Sequence, residues 1–581
     1  MTTPQNLPSP QAPPARYEVR VLGITWERVH LTIQVQATAQ PHADLGSTPS
    51  LAFEIVDAGR VFPVISAALG DGLFDLHINV TTFADRREVP NGTWRIRLAV
   101  NGEPDAVATL DVSRLDLLET AERVFLYNSN RNAYTVTYAI AENEIALEFL
   151  MRVFEFTRVP AADARKSLLR RARASVASGA AKQRYARWVY AFFSRWIGPK
   201  RGRLLFASDQ RSAMEGNLLR VHERLVERGL ANQFDMKYSF RLPASTNWTA
   251  TIRILYLLAT SEIVLLDDYF AMLKSIDVDS RTKIIQLWHA GSGFKAVGFS
   301  RFGQAGSPML ENSHRDYTYA ITGSEHLIPV YAEAFGIEPE SVIATGLPRV
   351  DWFLDEARRQ EFRDEFFGEY PAFLGKRIIL FAPTFRGRSI KSAFYDYDLI
   401  DFDGLAKAVG PNTVVLFRMH HFVREPITIP PEYADIFFDF TRYPKGLELL
   451  QVTDLLITDY SSIIYEYSLL DRPMLFFAPD KLNYAATRGF HREFDDTAPG
   501  RVCTTFDEVL KAITRDDFQR EKVAKFRSEN FDRVDTGSAD RVIDWLILAD
   551  PNPGARHASH RSQPAKQWVE EPEQEQEEDN A

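Results

Sequence analysis

Residues 453–480 read TDLLITDYSSIIYEYSLLDRPMLFFAPD. Two apolar runs in this stretch, LLIT and MLFFA, have the length and residue types of buried parallel strands. Between them stands Asp459-Tyr460-Ser461-Ser462, and residues 463–470 read as a short helix. A helix that begins at the serine pair aims two hydroxyls and its first unpaired N–H groups at one point. That arrangement suits a phosphate, because a helix N-terminus carries unpaired donors and a favourable dipole. The same two serines serve equally well as plain N-caps.

Working outward, the surrounding chain is too long for one core. At 581 residues it calls for two to four domains. A hydrophobic share of 45% and a charged share of 25% are those of an ordinary globular protein. Part of the net charge of −10 sits in the acidic run at 570–579, so the folded body is closer to neutral. The single cysteine, Cys503, excludes an internal disulfide framework and fits a reducing compartment. No Cys/His spacing suggests a zinc site, so no metal and no cofactor are expected. The proline-rich opening MTTPQNLPSPQAPPAR lacks the apolar core of a signal peptide. No run of about 18 apolar residues suggests a membrane span. A cytoplasmic protein, peripheral on the inner face of the cell membrane, is the expected location, with no nucleic-acid partner.

The organisation changes along the chain. Residues 1–15 read as disordered, and residues 16–155 as a β-rich module. There, alternating runs such as YEVRVLGITW, VHLTIQVQA and TWRIRLAV are separated by turn signals such as Asn91-Gly92 and Asn101-Gly102. Such spacing predicts an all-β sandwich-like unit. It carries no His, Asp or Glu constellation and reads as a recognition or packing module. Residues 156–202 form a basic linker, with Arg165, Lys166, Arg170, Arg171 and Arg173 ahead of a predicted helix. On that helix Tyr185, Trp188, Val189, Phe192 and Trp196 follow one apolar face, flanked by Lys182, Arg184, Arg187 and Arg195. Aromatics against basic residues fit an anionic membrane surface; the same stripe fits packing on a neighbouring domain.

From residue 203 strands and helices alternate in two sets, 203–370 and 371–548. RLLFAS, EIVLLDD, KIIQLWH and YTYAITGS belong to the first set; RIILFAPTF, TVVLFRMHH, DLLITDY and MLFFAPD belong to the second. The pattern predicts an α/β pair of doubly wound domains. The acidic end, 549–581, reads as disordered.

Four further clusters fall where strands end, the place where open α/β sheets bind ligands. They are Trp288-His289-Ala290-Gly291 with Lys295, the turn Gly346-Leu347-Pro348-Arg349-Val350-Asp351, Ala382-Pro383-Thr384-Phe385-Arg386, and Arg418-Met419-His420-His421. Each one alone reads equally as structural. Together they place cations and hydroxyls at five strand ends without a P-loop or a GxGxxG turn. A cleft between two such domains would neutralise a diphosphate, which points to transfer from an activated nucleotide donor.

At these motifs the chain resembles the CDP-glycerol glycerophosphotransferase family of teichoic-acid primases and polymerases. The resemblance covers about residues 203–545, in a WHG…K segment, a G-x-P-R-x-D turn, APT-x-R, R-x-H and TDYSS followed by an acidic residue. LLFAS with Asn217, Asp480 and Arg488-Gly489-Phe490 also match. It implies a GT-B-like fold with the nucleotide in the second α/β domain and the acceptor in the first. It further implies His289 as general base, with His420 as the second catalytic residue. Arg386, Arg418 and His420 would neutralise the diphosphate. Donor contacts also fall to Lys295, Arg349, Thr384, Asp459, Ser461 and Ser462, and Glu466 would hold the ribose. Helix dipole and side-chain cations would stand in for Mg²⁺. Ala290 and Glu466 depart from the usual Gly and Asp of the pattern.

The function expected is transfer of glycerol phosphate or ribitol phosphate from a CDP-polyol donor. The acceptor would be a hydroxyl of a lipid-linked glycan or polyol-phosphate polymer, with release of CMP. A GT-B glycosyltransferase using a nucleotide sugar, or a non-catalytic glycan-binding protein, are the alternatives.

Overall fold

The computed structural model describes residues 14–41, 49–57, 59–84, 86–110, 114, 116–119, 121–128, 130, 132–141, 146–155, 179–242, 248–289, 291, 296–304, 307–310, 312–387, 392–488 and 490–551. Residues 1–13 and 552–581 of the two ends expected to be disordered, the basic cluster at 165–173, Ala290 and Lys295 lie outside these residues.

The chain divides into two compact units. In the first, the alternating segments do form strands, and the alternation sets which faces are buried. His30–Ala39, for example, buries Leu31, Ile33, Val35 and Ala37 and leaves the residues between them partly open. Among the described residues this unit holds one contiguous eleven-stranded sheet, not two separate ones. The reason is a shared strand. Glu103–Thr109 pairs in parallel with Tyr17–Glu27 and antiparallel with Gly92–Val100, so it belongs to both halves. Trp94 and Tyr134 are fully buried in its core. Phe302–Leu310, far along the chain, belongs to this unit too. Phe302 lies 5.3 Å from Phe125 and 5.5 Å from Tyr127, ring centroid to centroid.

The second unit carries two parallel sheets, each of six strands among the described residues. The first runs Asp235–Phe240, Lys200–Ser208, Ser261–Leu266, Lys283–Gln286, Tyr319–Ile321 and Val342–Ile343 from edge to edge. The second runs Phe437–Asp439, Thr413–Phe417, Arg377–Phe381, Leu455–Thr458, Met474–Phe477 and Arg501–Cys503. The interior strands are apolar on both faces because helices cover both, which explains continuous runs such as LLIT and MLFF. In each sheet the strand order reverses once. The reversal falls between Lys200–Ser208 and Ser261–Leu266 in the first sheet, and between Arg377–Phe381 and Leu455–Thr458 in the second. Crevices at such reversals are where doubly wound sheets bind ligands. The two sheets are tied by the chain's return. The buried carboxylate of Asp351 accepts from Ser538 N at 2.9 Å and Ala539 N at 2.8 Å, capping the terminal helical segment against the first half.

The aromatic helix, Gly179–Trp196, is not a free linker. Ala186, Val189 and Tyr190 are buried in the first α/β core with Ile254, Leu257 and Leu258 of the helix Trp248–Thr260. The expected single apolar face is therefore split. Val189 turns inward, while Trp188, Phe192 and Trp196 remain 66%, 48% and 76% exposed. Tyr190 Oη accepts from Asp279 N at 2.9 Å, and Ser194 Oγ donates to Asp279 Oδ2 at 2.8 Å.

Asp279 thus anchors the helix, and hydrogen bonds from Arg281 above all hold its carboxyl down to about 2. A depressed carboxyl stabilises the fold above its unfolded value of 3.8, and that contribution is lost as pH falls through about 2. Asp279→Asn is expected to lower unfolding free energy by about 1–2 kcal/mol at neutral pH. The gap to wild type should begin to narrow below about pH 4 and close near pH 2; urea titrations across that range check it.

Candidate active site

The base candidate, His289, follows the buried strand Lys283–Gln286 on a turn that the protein holds against its own preference. Trp288 adopts φ +49°, a left-handed conformation costing a bulky residue on the order of 1–3 kcal/mol. Three hydrogen bonds from two side chains impose it. Gln286 Oε1 accepts from Trp288 N at 2.9 Å, while Asn217 Nδ2 donates to Leu287 O at 2.9 Å and also to Trp288 O. Asn217 Oδ1 in turn accepts from Arg349 N at 2.9 Å. The turn thereby presents the His289 ring, 40% exposed, with Trp288 tilted against it at 4.7 Å.

Behind the ring lies a cluster at the reversal point of the first sheet. Asp268 Oδ1 is 2.9 Å from His289 Nδ1. Asp268 Oδ2 accepts from Ser208 Oγ at 3.1 Å and lies 3.3 Å from Arg211 Nε. Arg211 also donates to Asp267 Oδ2 at 2.9 Å. Burial pushes the Asp267 carboxyl up to about 7, against the pull of Arg211 and with the neighbouring Asp268 adding to the push. These residues were missed in the sequence, where LLDD reads as the end of an apolar strand. Two carboxylates at the carboxyl edge of a parallel sheet were the available signal.

On the second sheet, Thr384, Asp459 and Arg386 come together at the reversal point. Asp459 accepts from Thr384 N at 2.8 Å, from Thr384 Oγ1 at 3.0 Å and from Arg386 at 2.8 Å. Arg386 also grips Asp480 through Nε and a terminal nitrogen, at 2.6 and 2.9 Å. Its guanidinium lies 5.2 Å from the Tyr460 ring, which stacks on Tyr484 at 3.9 Å. Asp459 and Thr384 are therefore bonded to each other and to Arg386, and Arg386 is balanced by two carboxylates.

The helix after the serine pair spans Ile463–Ser468, shorter than the segment read from the sequence. Ser462 makes no side-chain capping bond, and Ser461 Oγ accepts from Ile463 N only at 3.5 Å. Neither hydroxyl is tied down as a strong cap. His420 sits in an aromatic group at the next strand end, 4.8 Å from Phe385 and 4.4 Å from His421, with Nδ1 accepting from Phe422 N at 3.2 Å.

Two residues named by the resemblance already have protein partners. Arg418 donates to the carbonyls of Phe440 and Tyr443 at 3.0 and 2.7 Å, so that nitrogen holds the 440–443 loop in place. Glu466 is buried and ion-paired with Arg349. Arg349 spans the two halves, because the same guanidinium also donates to His289 O. The base turn also lies directly on the 463–468 helix. A Cβ placed on Gly291 would come within 2.4 Å of the Tyr465 ring.

Gly291→Ala should therefore push the turn off the helix and destabilise the protein by about 1–3 kcal/mol. Tyr465→Leu in the same chain should recover part of that loss. Thermal unfolding of the four-variant cycle measures both.

Among known proteins, the model of the CDP-Glycerol:Poly(glycerophosphate) glycerophosphotransferase family matches residues 190–548. The teichoic acid poly(ribitol-phosphate) polymerase of Bacillus spizizenii is 38% identical over 357 residues, 61% of this chain and 57% of that protein. The teichoic acid ribitol-phosphate polymerase TarK of Staphylococcus aureus is 39% identical over 348 residues, 59% of this chain and 68% of that protein. This chain thus spans some three-fifths of the length of the relatives it matches. The solved wall teichoic acid polymerase TagF shares the fold with a TM-score of 0.51 at 22% identity, over 65% of this chain and 95% of that one. With more than half of its length matched by the family model, the chain belongs to the CDP-glycerol:poly(glycerophosphate) glycerophosphotransferase family.

Proposed function

We propose that this protein transfers a polyol phosphate from a CDP-activated donor to a hydroxyl of a growing teichoic-acid-like polymer, releasing CMP. The observation that carries the reading is the joint between the halves. Arg349 holds both the His289 carbonyl and Glu466, and Gly291 rests against Tyr465. The base turn of one GT-B-like half is thereby fixed to the Ser461-Ser462 helix of the other. Ribitol phosphate is the favoured unit, because both curated relatives described above are named for it.

In this mechanism the acceptor hydroxyl gives its proton to His289 Nε2 as its oxygen attacks the β-phosphorus. The new P–O bond makes a phosphodiester to the polyol, and the P–O bond to the CMP phosphate breaks. Ser461 and Ser462 bind the diphosphate at the helix start, with His420 at a strand end on the far side of Arg377–Phe381 and Lys295, as the motif implies, adding charge. Arg386 acts from within its Asp459 and Asp480 pairs, stiffening the crevice wall. The lipid-linked acceptor places the work at a membrane surface. Trp188, Phe192 and Trp196, with exposed Lys182, Arg184, Arg187 and Arg195 around them, support contact with anionic lipid at the cytoplasmic face. Among the described residues no helix is long and apolar enough to cross a membrane.

His289→Ala should slow CMP release from CDP-ribitol by roughly 10²- to 10⁴-fold while the variant unfolds at the wild-type temperature. Activity retained in that variant removes His289 as the base. Turnover of a nucleotide sugar, with neither CDP-ribitol nor CDP-glycerol consumed, would replace phosphotransfer by glycosyl transfer.

The triple variant W188A/F192A/W196A should lose at least about tenfold in partitioning to anionic vesicles, since each buried aromatic is worth about 1.5–3 kcal/mol. Its unfolding should be little changed. Cosedimentation with and without anionic lipid reads the effect, and unchanged partitioning would detach this helix from the membrane.

A further inference from the structure

We infer that Asp268 is the positioning residue of the base: its carboxylate fixes the proton on His289 Nδ1, aims Nε2 at the acceptor, and stabilises the imidazolium formed during transfer. The inference rests on the phosphotransfer reading above and adds to it a residue outside every motif of the resemblance.

The argument starts from the partners of one nitrogen. His289 Nδ1 faces Asp268 Oδ1 at 2.9 Å and the backbone carbonyl of Asp267 at 3.2 Å. An ionised carboxylate and a carbonyl can only accept, so Nδ1 must donate, and in the neutral ring Nε2 carries the lone pair. That is the tautomer a general base at Nε2 requires. It also leaves the proton bookkeeping closed: the acceptor's proton goes to Nε2, Nδ1 keeps its own, and the ring becomes a cation beside a fixed anion.

Asp268 is built to remain that anion. Burial pushes its carboxyl up, but the hydrogen bond from His289, the charge of Arg211 and the Ser208 hydroxyl outweigh burial and hold it below the usual range. The neighbouring Asp267 moves the other way. Of two adjacent carboxyls, the one that touches the base is the one that keeps its charge.

The carboxylate is also immobile. Oδ1 is taken by His289, and Oδ2 by Ser208 and Arg211. Its main-chain carbonyl accepts from Gln286 Nε2 at 3.0 Å, and the other end of that amide accepts from Trp288 N. A single buried side chain, Gln286, thus links the loop carrying Asp268 to the turn carrying His289. Only 8% of the Asp268 side chain is exposed, against 40% of His289. The carboxylate works from behind the ring while the opposite edge stays open to a substrate.

The test combines kinetics with a direct reading of the ring. D268N keeps the shape but can offer N–H to Nδ1, favouring the opposite tautomer. In full-length protein labelled with ¹⁵N-histidine, the His289 signal is identified by its absence in H289A. Wild type should show Nε2 unprotonated and Nδ1 protonated, and D268N should invert or mix the two. CMP release from CDP-ribitol should fall roughly 10²- to 10⁴-fold in kcat in D268N. KM for the donor should stay within about threefold, because the donor lies on the other half. The double variant D268N/H289A should be no slower than H289A, since the aspartate acts only through the histidine. S208A, which removes one clamp and leaves the charge, should give an intermediate loss. Three results overturn the inference: near-wild-type kcat in D268N, a further loss in the H289A background, or an unchanged tautomer. If wild type releases no CMP from either donor, the phosphotransfer reading fails, and the ¹⁵N comparison still decides the role of Asp268.

Discussion

One guanidinium decides how the two α/β halves meet. Arg349 stands at the start of a helix in the first half, its backbone N–H held by Asn217, and reaches both His289 O and the buried Glu466 carboxylate of the second. Removing either partner would leave a charge buried and unmatched, an effect worth several kcal/mol. This explains how the unfavourable left-handed Trp288 persists. Its strain is met by Gln286, Asn217 and, through Asn217, by Arg349, so a local rearrangement would have to break the joint between the halves as well. The absence of a side chain at Gly291 belongs to the same constraint, because a Cβ there would collide with Tyr465.

The joint also sets a division of chemistry. In the first sheet the reversal crevice holds acids, Asp267 and Asp268, with Arg211 between them and His289 in front. In the second it holds Arg386 between Asp459 and Asp480, with the serine pair beyond. Both crevices are charged for the same geometric reason: parallel strands all end on one edge, and the two strands flanking a reversal send their connections to opposite faces, leaving a gap. Each crevice pairs its charges internally. What stays accessible is the His289 ring on one side and the partly exposed Ser461 and Ser462 on the other.

Much of this was legible from residue types. Strands buried on both faces announce themselves as apolar runs, and the eight such runs named from the sequence all fall on strands of the two parallel sheets. Arg501–Cys503 escaped because three residues carry no pattern. In the β unit the short strands Arg60–Pro63 and Ile65–Gly70 escaped for the same reason, and no periodicity reveals that one strand serves two halves of a sheet. The motifs located the site, but they could not apportion it. Whether Arg418 meets a phosphate or two carbonyls more than twenty residues ahead, and whether Glu466 meets a ribose or an arginine 117 residues behind, depends on long-range packing. Asp268 was invisible for the converse reason: it lies in no motif, and only the fold brings it behind His289.

The helix Gly179–Trp196 shows what period alone cannot resolve. A 3.6-residue repeat joins Val189 with Trp188, Phe192 and Trp196 on one broad stripe, yet a helix packed on one side must choose an arc of it. Here the arc centred on Ala186, Val189 and Tyr190 is taken by the first α/β core, and Asp279 pins it there. The rings of Trp188, Phe192 and Trp196 fall outside that arc and stay exposed, with Trp188 stacked on Phe192 and Phe192 edge-on to Phe193. Exposure of three large aromatics has no compensation within the fold itself. Because holding the helix and exposing its aromatics are tasks of different residues, selection on one leaves the other free to change.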